Sequence, residues 1–270
     1  MAFGYHGRYL RIDVSSGSGQ YVPLDDSVLR QFIGGSGLGV RLLLDEGAGE
    51  LDPLAPEAPI VFAFSPLVGS PLTTSAKFAV VSKSPLTGRI NDSLASSGFA
   101  VAGKRCGCDA VVVVGRAPEL SALIIDEKTS GDPSRPDIRI ERAEEYRGAT
   151  CRDTEGGLRS RLGADFRIAS IGPAGEHSVR YATISHDGRH AGRGGRGRAR
   201  RQEPKGNRAA RSALYRMGAA ERTDRAEQVS FKKVVRPCYG EIPRARHGFQ
   251  PAHFQPLRSP PDAQLSVGRI

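Results

Sequence analysis

An α+β fold is what this 270-residue chain predicts, and three observations predict it. Short apolar runs with strand-like alternation dominate, few helical periods lie between them, and glycine (33) and proline (18) punctuate the whole length. Regular strand–helix alternation would indicate a doubly wound sheet, and it is missing here. The glycine and proline content is too high for a helical bundle or coiled coil, and no Gly-x-y period marks collagen.

The elements follow in order. Arg8–Val14 alternates apolar and polar residues and ends at Ser15-Ser16-Gly17, a strand and its stop. Asp25-Asp26-Ser27 offers N-cap chemistry for a short helix through Val28, Leu29, Phe32 and Ile33. Gly34-Gly35-Ser36-Gly37 is expected to break that helix, and Leu38–Asp45 to begin a second. Strands are expected at Ile60–Phe64, Phe78–Val81, Ala110–Val114, Ala122–Ile125, Arg167–Ile171 and Tyr181–Ile184. Thr154–Leu162 reads as a helix weakened by Gly156 and Gly157. Ser65-Pro66-Leu67-Val68-Gly69 and Ser84-Pro85-Leu86-Thr87-Gly88 nearly repeat one another, which suggests two similar strand–turn corners.

At 28.9 kDa the chain is large enough for one large domain or two small ones with a substantial core. Its longest apolar runs fall well short of the roughly 18–20 residues a membrane helix needs. Met1–Gly17 carries no basic segment followed by an apolar stretch, so no secretory leader is expected. Four cysteines make no disulfide framework in a chain of this length, and a reducing cytoplasm is the expected setting.

The formal charge of +10 is unevenly distributed. Residues 1–195 hold 22 basic and 23 acidic side chains, whereas residues 196–270 hold 17 basic and 6 acidic. Fourteen of those 17 are arginine, so any polyanion-binding argument concerns the tail alone. The tail lacks a sustained period of 2 or 3.6 and has few apolar clusters, which predicts a disordered or poorly folded segment.

Individual motifs carry little chemistry. Gly34–Gly39 lacks both the dinucleotide register and a Gly-Lys-Ser/Thr end, so it reads as a helix break. Ser185-His186-Asp187 has the residue types of a catalytic triad, but consecutive side chains cannot converge on one reacting atom. Cys106 and Cys108 are spaced more tightly than a zinc pair and, beside an apolar strand, read as small core residues. The stretch Gly188–Gly195 is different: glycines let backbone N–H groups approach an anion, and Arg189 and Arg193 supply forked donors for phosphate. On its own it reads as a phosphate cradle, an arginine–glycine RNA-binding run continued by Arg196-Gly197-Arg198, or a solvated loop.

Taken together and in order, these pieces resemble the N-terminal domain of the aldehyde ferredoxin oxidoreductase family, the tungsten–pterin enzymes. The resemblance rests on Gly4–Val14, Phe32–Gly39, Leu51–Glu57, Lys83–Gly88, Gly107–Val113, Ile171–Glu176 and Asp187–Gly195. It implies a domain of two β-sheets with a few helices, covering residues 1–195, that forms the base for a tungsten (or molybdenum) bis-pterin cofactor. In this family the pterin dithiolenes hold the metal, and the protein binds the pterin phosphates and a bridging magnesium ion. By position the resemblance assigns that task to Lys77 with Ser93, Leu94, Ala95, Ser96, Ser97 and Gly98, and to Gly188, Arg189, His190, Ala191, Gly192, Arg193 and Gly194. The carbonyls of Leu94 and Ala191 are its candidates for magnesium.

Two departures weaken side-chain contacts. The family commonly has Asn-Ser-Gly-Gly where Leu94-Ala95-Ser96-Ser97 stands, and often arginine where Lys77 stands, which loses the bidentate fork. The resemblance further implies aldehyde oxidation to carboxylic acids, with electron transfer through a 4Fe–4S iron–sulfur cluster to ferredoxin. The cluster ligands and acid–base residues of the family lie in later domains, so this chain is expected to be inactive alone, with no catalytic residue assigned. A homodimer is compatible with this expectation.

After Gly195 the family pattern stops. Writing Arg201–Ala209 in permitted codons and dropping the first base gives Ala-Lys-Asn-Pro-Lys-Ala-Ile-Ala, close to the family's next motif. Residues 196–270 are therefore expected to be translated out of frame. The competing readings are a nucleic-acid-binding protein acting through the tail, and an inert product of a broken gene.

Overall fold

The computed structural model describes residues 4–126, 137–187, 190–192 and 213–217. They form two six-stranded sheets packed face to face, with a few helices, as the α+β reading anticipates.

The first sheet contains β1 (Arg8–Asp13), β2 (Ser18–Pro23), β3 (Ile60–Phe64), β4 (Lys77–Lys83), β5 (Ile90–Ser96) and β6 (Ala110–Val114). Its spatial order is β2-β1-β6-β3-β4-β5, antiparallel except for the parallel β1–β6 pair. The second contains β7 (Ser121–Asp126), β8 (Asp137–Arg142), β9 (Arg167–Ser170), β10 (Ile184–His186), β11 (His190–Gly192) and β12 (Ala213–Met217). Its order is β11-β10-β9-β12-β7-β8.

Strand alternation divides the side chains into three layers. Leu10, Ile12, Ile60, Phe62, Phe64, Phe78 and Val111 face inward and meet Leu123, Ile125, Ala169 and Ile184 of the other sheet. Their neighbours Val61, Ala63, Ala79, Val81 and Val112 face outward and are covered by helix α2 (Gly35–Asp45) through Leu38, Leu42 and Leu43. On the far side, Leu158 of α4 (Cys151–Leu162) covers Ala122 and Ile168. Burial on both faces explains why β3 and β6 read as unbroken apolar runs.

The two Ser-Pro-Leu corners are real equivalents. Each follows a strand end: the Ser65 and Ser84 hydroxyls accept from the N–H groups of Leu67 and Leu86, both at 3.2 Å. Gly69 and Gly88 then close the corners in the left-handed region, at φ 84° and 68°.

Other expectations are corrected. A short helix α1 (Asp26–Gln31) forms as read, but Asp25 stands at its N-cap without a side-chain cap bond. The first helix ends before the glycines as expected, but the second starts within them, at Gly35 and not at Leu38. Close packing explains them: a Cβ on Gly34 would lie 2.6 Å from Pro66 Cδ, and one on Gly39 would lie 2.5 Å from Val81 Cγ2. Gly39→Ala is therefore expected to cost about 1–2 kcal/mol in urea unfolding, because the stiff, buried Val81 cannot yield. Tyr181 is in a turn, and only Ile184–His186 of that region pairs as a strand. Gly157 is tolerated in α4 because the Tyr146 ring occupies the space a Cβ would need, 2.4 Å from its Cε1. Within the basic tail, Ala213–Met217 forms a strand between β9 and β7, which an aperiodic composition did not suggest. Among the described residues, no helix is long and apolar enough to cross a membrane.

Candidate functional site

Helix α3 (Gly98–Arg105) enters the space between the sheets and organises the site. Its intrinsic helical preference is lowered by Gly98 and Gly103, so tertiary contacts must hold it. Phe99, Ala100 and Ala102 bury one side in the central core. Phe99 packs against Phe78 and Phe62 with ring centroids at 5.3 and 5.7 Å. Lys104 and Arg105 in the last turn suit the negative end of the helix dipole.

Its N-terminus is held from two directions. Ser97, the N-cap, accepts from the Phe99 N–H at 3.2 Å. Asp187 Oδ2, 88 residues away, accepts from the same N–H at 2.9 Å. Asp187 ends β10 with φ 54°, a conformation aspartate tolerates, and its own N–H donates to Ile168 O at 3.0 Å. The chain then returns as β11, pairing His186 with His190, Ser185 with Ala191 and Ile184 with Gly192.

This hairpin brings β11 alongside β5, the edge strand of the first sheet. The two stretches marked for cofactor phosphates, Ser93–Ser97 and His190–Gly192, are thus juxtaposed. They are not loops, however. Ser93, Leu94, Ala95 and Ser96 belong to β5, with Leu94 in register with Ala79 and Ser96 with Lys77. An edge strand presents backbone N–H and C=O groups that its own ladder leaves unpaired, which serves the same purpose. Gly188, Arg189, Arg193 and Gly194 lie outside the described residues.

The surroundings are basic and polar. Lys77, at the start of β4, is exposed. Leu94, where the resemblance expects asparagine, is 71% exposed and supplies no polar side-chain atom. Arg167, at the start of β9, was not singled out from sequence, yet its side chain lies directly over Gly98. A Cβ on Gly98 would come within 2.9 Å of its Nε and 3.2 Å of its Cζ. The register of β9 with β10 could have revealed it only once the pairing was known. Asp187 Oδ1 is buried and receives no hydrogen bond from the described residues. Asp187 and Ser97 already take the Phe99 N–H, so what remains for a phosphate-bearing group is the outer edge of β5 with Lys77 and Arg167. Among the described residues, no group of three or more His, Cys, Asp or Glu gathers to hold a metal ion.

Elsewhere the bland readings hold. Cys106 and Cys108 are buried. Ser185, His186 and Asp187 form no triad, since His186 packs edge-on against Phe78 at 5.1 Å while Asp187 caps α3. Burial, reinforced by the adjacent Asp109 carboxylate, pushes the Cys108 thiol up to about 12. The unfolded thiol ionises first, so stability is expected to fall as pH rises from about 9 toward 12. Cys108→Ala should flatten that slope in urea melts taken across this range.

Comparison with known proteins gives a consistent picture. Residues 9–201 match the family described as aldehyde ferredoxin oxidoreductase, N-terminal domain. The tungsten-containing aldehyde ferredoxin oxidoreductase of Pyrococcus furiosus is 36% identical over 197 residues, covering 72% of this chain and 31% of that protein. That of Pyrococcus horikoshii is 36% identical over 199 residues, with the same coverage. The WOR-like subunit of the aliphatic sulfonate oxidoreductase of Pyrococcus furiosus is 29% identical over 212 residues. Among solved structures, the active-site complex BamBC of benzoyl coenzyme A reductase superposes with a TM-score of 0.68 at 28% identity, covering 81% of this chain and 32% of that one. The chain therefore spans about a third of the length of the relatives it matches.

Proposed function

Because the chain belongs to the aldehyde ferredoxin oxidoreductase family through its N-terminal domain, we propose that residues 1–195 are the cofactor-binding base of a tungsten–pterin oxidoreductase. The whole protein oxidises an aldehyde to a carboxylic acid and passes electrons through a 4Fe–4S cluster to ferredoxin. This chain supplies the phosphate-binding floor and does not turn over alone. One observation carries the reading: β11 lies against β5, and Asp187 ties the β10–β11 hairpin to the first turn of α3.

The bound cofactor supplies the redox-active metal. The protein's own residues bind and orient. Lys77 offers a mobile positive charge at the rim, and the outer edge of β5 offers backbone groups; the Leu94 and Ala191 carbonyls are the ones that would hold a magnesium ion. The Ser97 and Asp187 caps hold α3 so that these groups keep a fixed spacing. The test is tungsten content per chain after expression on tungstate in a host that makes the pterin, with pterin fluorescence after oxidative release. Lys77→Met is expected to lower tungsten content about tenfold with unchanged circular dichroism. A folded wild-type chain with neither tungsten nor pterin overturns the reading. Dye-linked aldehyde oxidation by the isolated monomer overturns the claim that it is inactive alone.

The tail reading belongs to the same proposal: residues from about 196 onward are out of frame. Support comes from the sequence: the arginine-, proline- and alanine-rich, aperiodic composition of residues 196–270 is what a shifted GC-rich reading would give. The shifted reading of residues 201–209 would supply Ala-Lys-Asn-Pro-Lys-Ala-Ile-Ala in their place. Resequencing codons 190–212 tests it: a one-base change that opens a long frame supports the proposal, and an unchanged sequence overturns it.

A further inference from the structure

We infer that the seam between α2 and β5 is a docking face, covered in the complete protein by the rest of the family's polypeptide. The inference rests on the reading of residues 1–195 as one part of a larger oxidoreductase, and it adds which face the larger part seats on.

Three observations carry it. First, the exposed apolar side chains are not scattered. Among the described residues eight large ones are exposed, and all but Tyr181 border this seam. Ile33 and Leu67 adjoin Gly34 and Pro66, which pack together at the start of α2. Leu72 lies in the loop that leads to Lys77. Leu94 stands on the α2 side of β5, in register with Ala79, which α2 covers. At the other end of the seam Leu44 and Ile90 line an open groove of about 430 Å³, and Leu86 is on the adjoining corner. Between the two ends Ser36 Oγ donates to Asp92 Oδ2 at 2.6 Å, which ties α2 to β5. Single exposed apolar residues are ordinary, whereas a set gathered on one face marks a binding surface.

Second, the opposite side of the molecule, around α4 and β8, is built for water. Among the described residues it shows no exposed large apolar side chain. Ion pairs cover it instead: Arg142 meets Glu119 at 3.0 Å, and Arg161 meets Glu145 at 2.7 Å and Glu141 at 3.4 Å. Exposed pairs of this kind suit a solvated face. Third, there is polypeptide to cover the seam. The chain spans 31% of the Pyrococcus furiosus relative, so about two thirds of that protein lies beyond the matched residues. Lys77 and the outer edge of β5, proposed to hold the cofactor, lie at one end of the same seam. Covering polypeptide that seats there also shields the cofactor from water. The groove wall at the far end is fixed beforehand, since Lys83 Nζ donates to Gly49 O at 2.7 Å and to Leu51 O at 3.0 Å.

The test co-expresses the full chain with the part of the Pyrococcus furiosus relative that lies beyond the matched residues. A photoactivated carbene then footprints the surface. Alone, the chain is expected to be labelled along the seam. Together, the two are expected to form a one-to-one complex that loses label at Ile33, Leu44, Leu86 and Leu94 while α4 stays labelled. Leu44→Asp with Leu86→Asp, at positions more than half exposed and outside the cofactor floor, should weaken that complex at least about tenfold in sedimentation equilibrium. Arg142→Glu, on the α4 side, should leave it unchanged. The footprint decides the matter if the double variant fails to fold. A complex that protects α4 and β8 instead, or a chain that captures nothing, overturns the inference. So does a chain that dimerises through the seam by itself, which makes a second copy the occupant. The two readings fail separately. A complex with a covered seam but neither tungsten nor pterin keeps the docking face and removes the floor. A co-expressed chain that loads tungsten with its seam still labelled does the reverse.

Discussion

Asp109→Ala is expected to lower the unfolding free energy by about 3–5 kcal/mol. Asp109 is fully buried at the entry to β6, and its carboxylate is shared by three donors. The Lys104 ammonium, itself buried, binds Oδ1. The His6 and Gly7 N–H groups donate to the same carboxylate, at 3.0 and 2.8 Å. One side chain thereby fixes the end of α3, the start of β6 and the segment that enters β1. Alanine would leave an ammonium and two N–H groups buried with no acceptor, and each unsatisfied group carries its own desolvation cost. Asp109→Asn retains an acceptor of the same shape and should cost less. Urea unfolding at pH 7 reads both variants, and a loss below about 1 kcal/mol for alanine would contradict the assignment.

Phe99→Ala is expected to cost about as much, about 3–5 kcal/mol, for a different reason. The ring is wholly buried between Phe62 and Phe78, so its removal leaves a cavity that two strands cannot close. The effect should also be local. The Phe99 N–H donates to both Ser97 and Asp187, so loosening α3 loosens both stretches proposed to bind phosphate. Hydrogen exchange should show lost protection across residues 97–105 in excess of that in α4. Uniform loss across the domain would mean that Phe99 supports the core without positioning the site.

These two residues also show where sequence legibility ends. Strand existence was readable because β3, β6 and β7 carry apolar runs whose meaning is local. The paired corners were readable because a serine hydroxyl bonds two residues ahead. Helix α3 was not readable, since its stability comes from an aspartate 88 residues later and from rings on two other strands. The Thr150–Asp153 capping pair, by contrast, was a local signal, and it would have placed the start of α4 three residues earlier than Thr154. Of the two stretches proposed to hold the cofactor, Ser93–Gly98 was marked only through family resemblance, whereas Gly188–Gly195 also carried the residue types of a phosphate cradle; that the Arg167 side chain lies over Gly98 follows only from the folded structure.

Strand order has a consequence for how the chain is made. A growing polypeptide emerges N-terminus first, and the first sheet has all six strands once Val114 is available. The second sheet closes differently: among the described strands its middle position, between β7 and β9, is taken by β12, the latest in sequence. Until a strand fills that gap, the β7–β8 and β9–β10–β11 units are separate ribbons whose unpaired backbone edges are templates for pairing with another nascent chain. In the given reading frame that strand is Ala213–Met217, and a shifted frame would have to supply another. The vulnerable interval in biosynthesis runs from Asp126 to whichever strand closes the gap, and chaperone dependence should concentrate there.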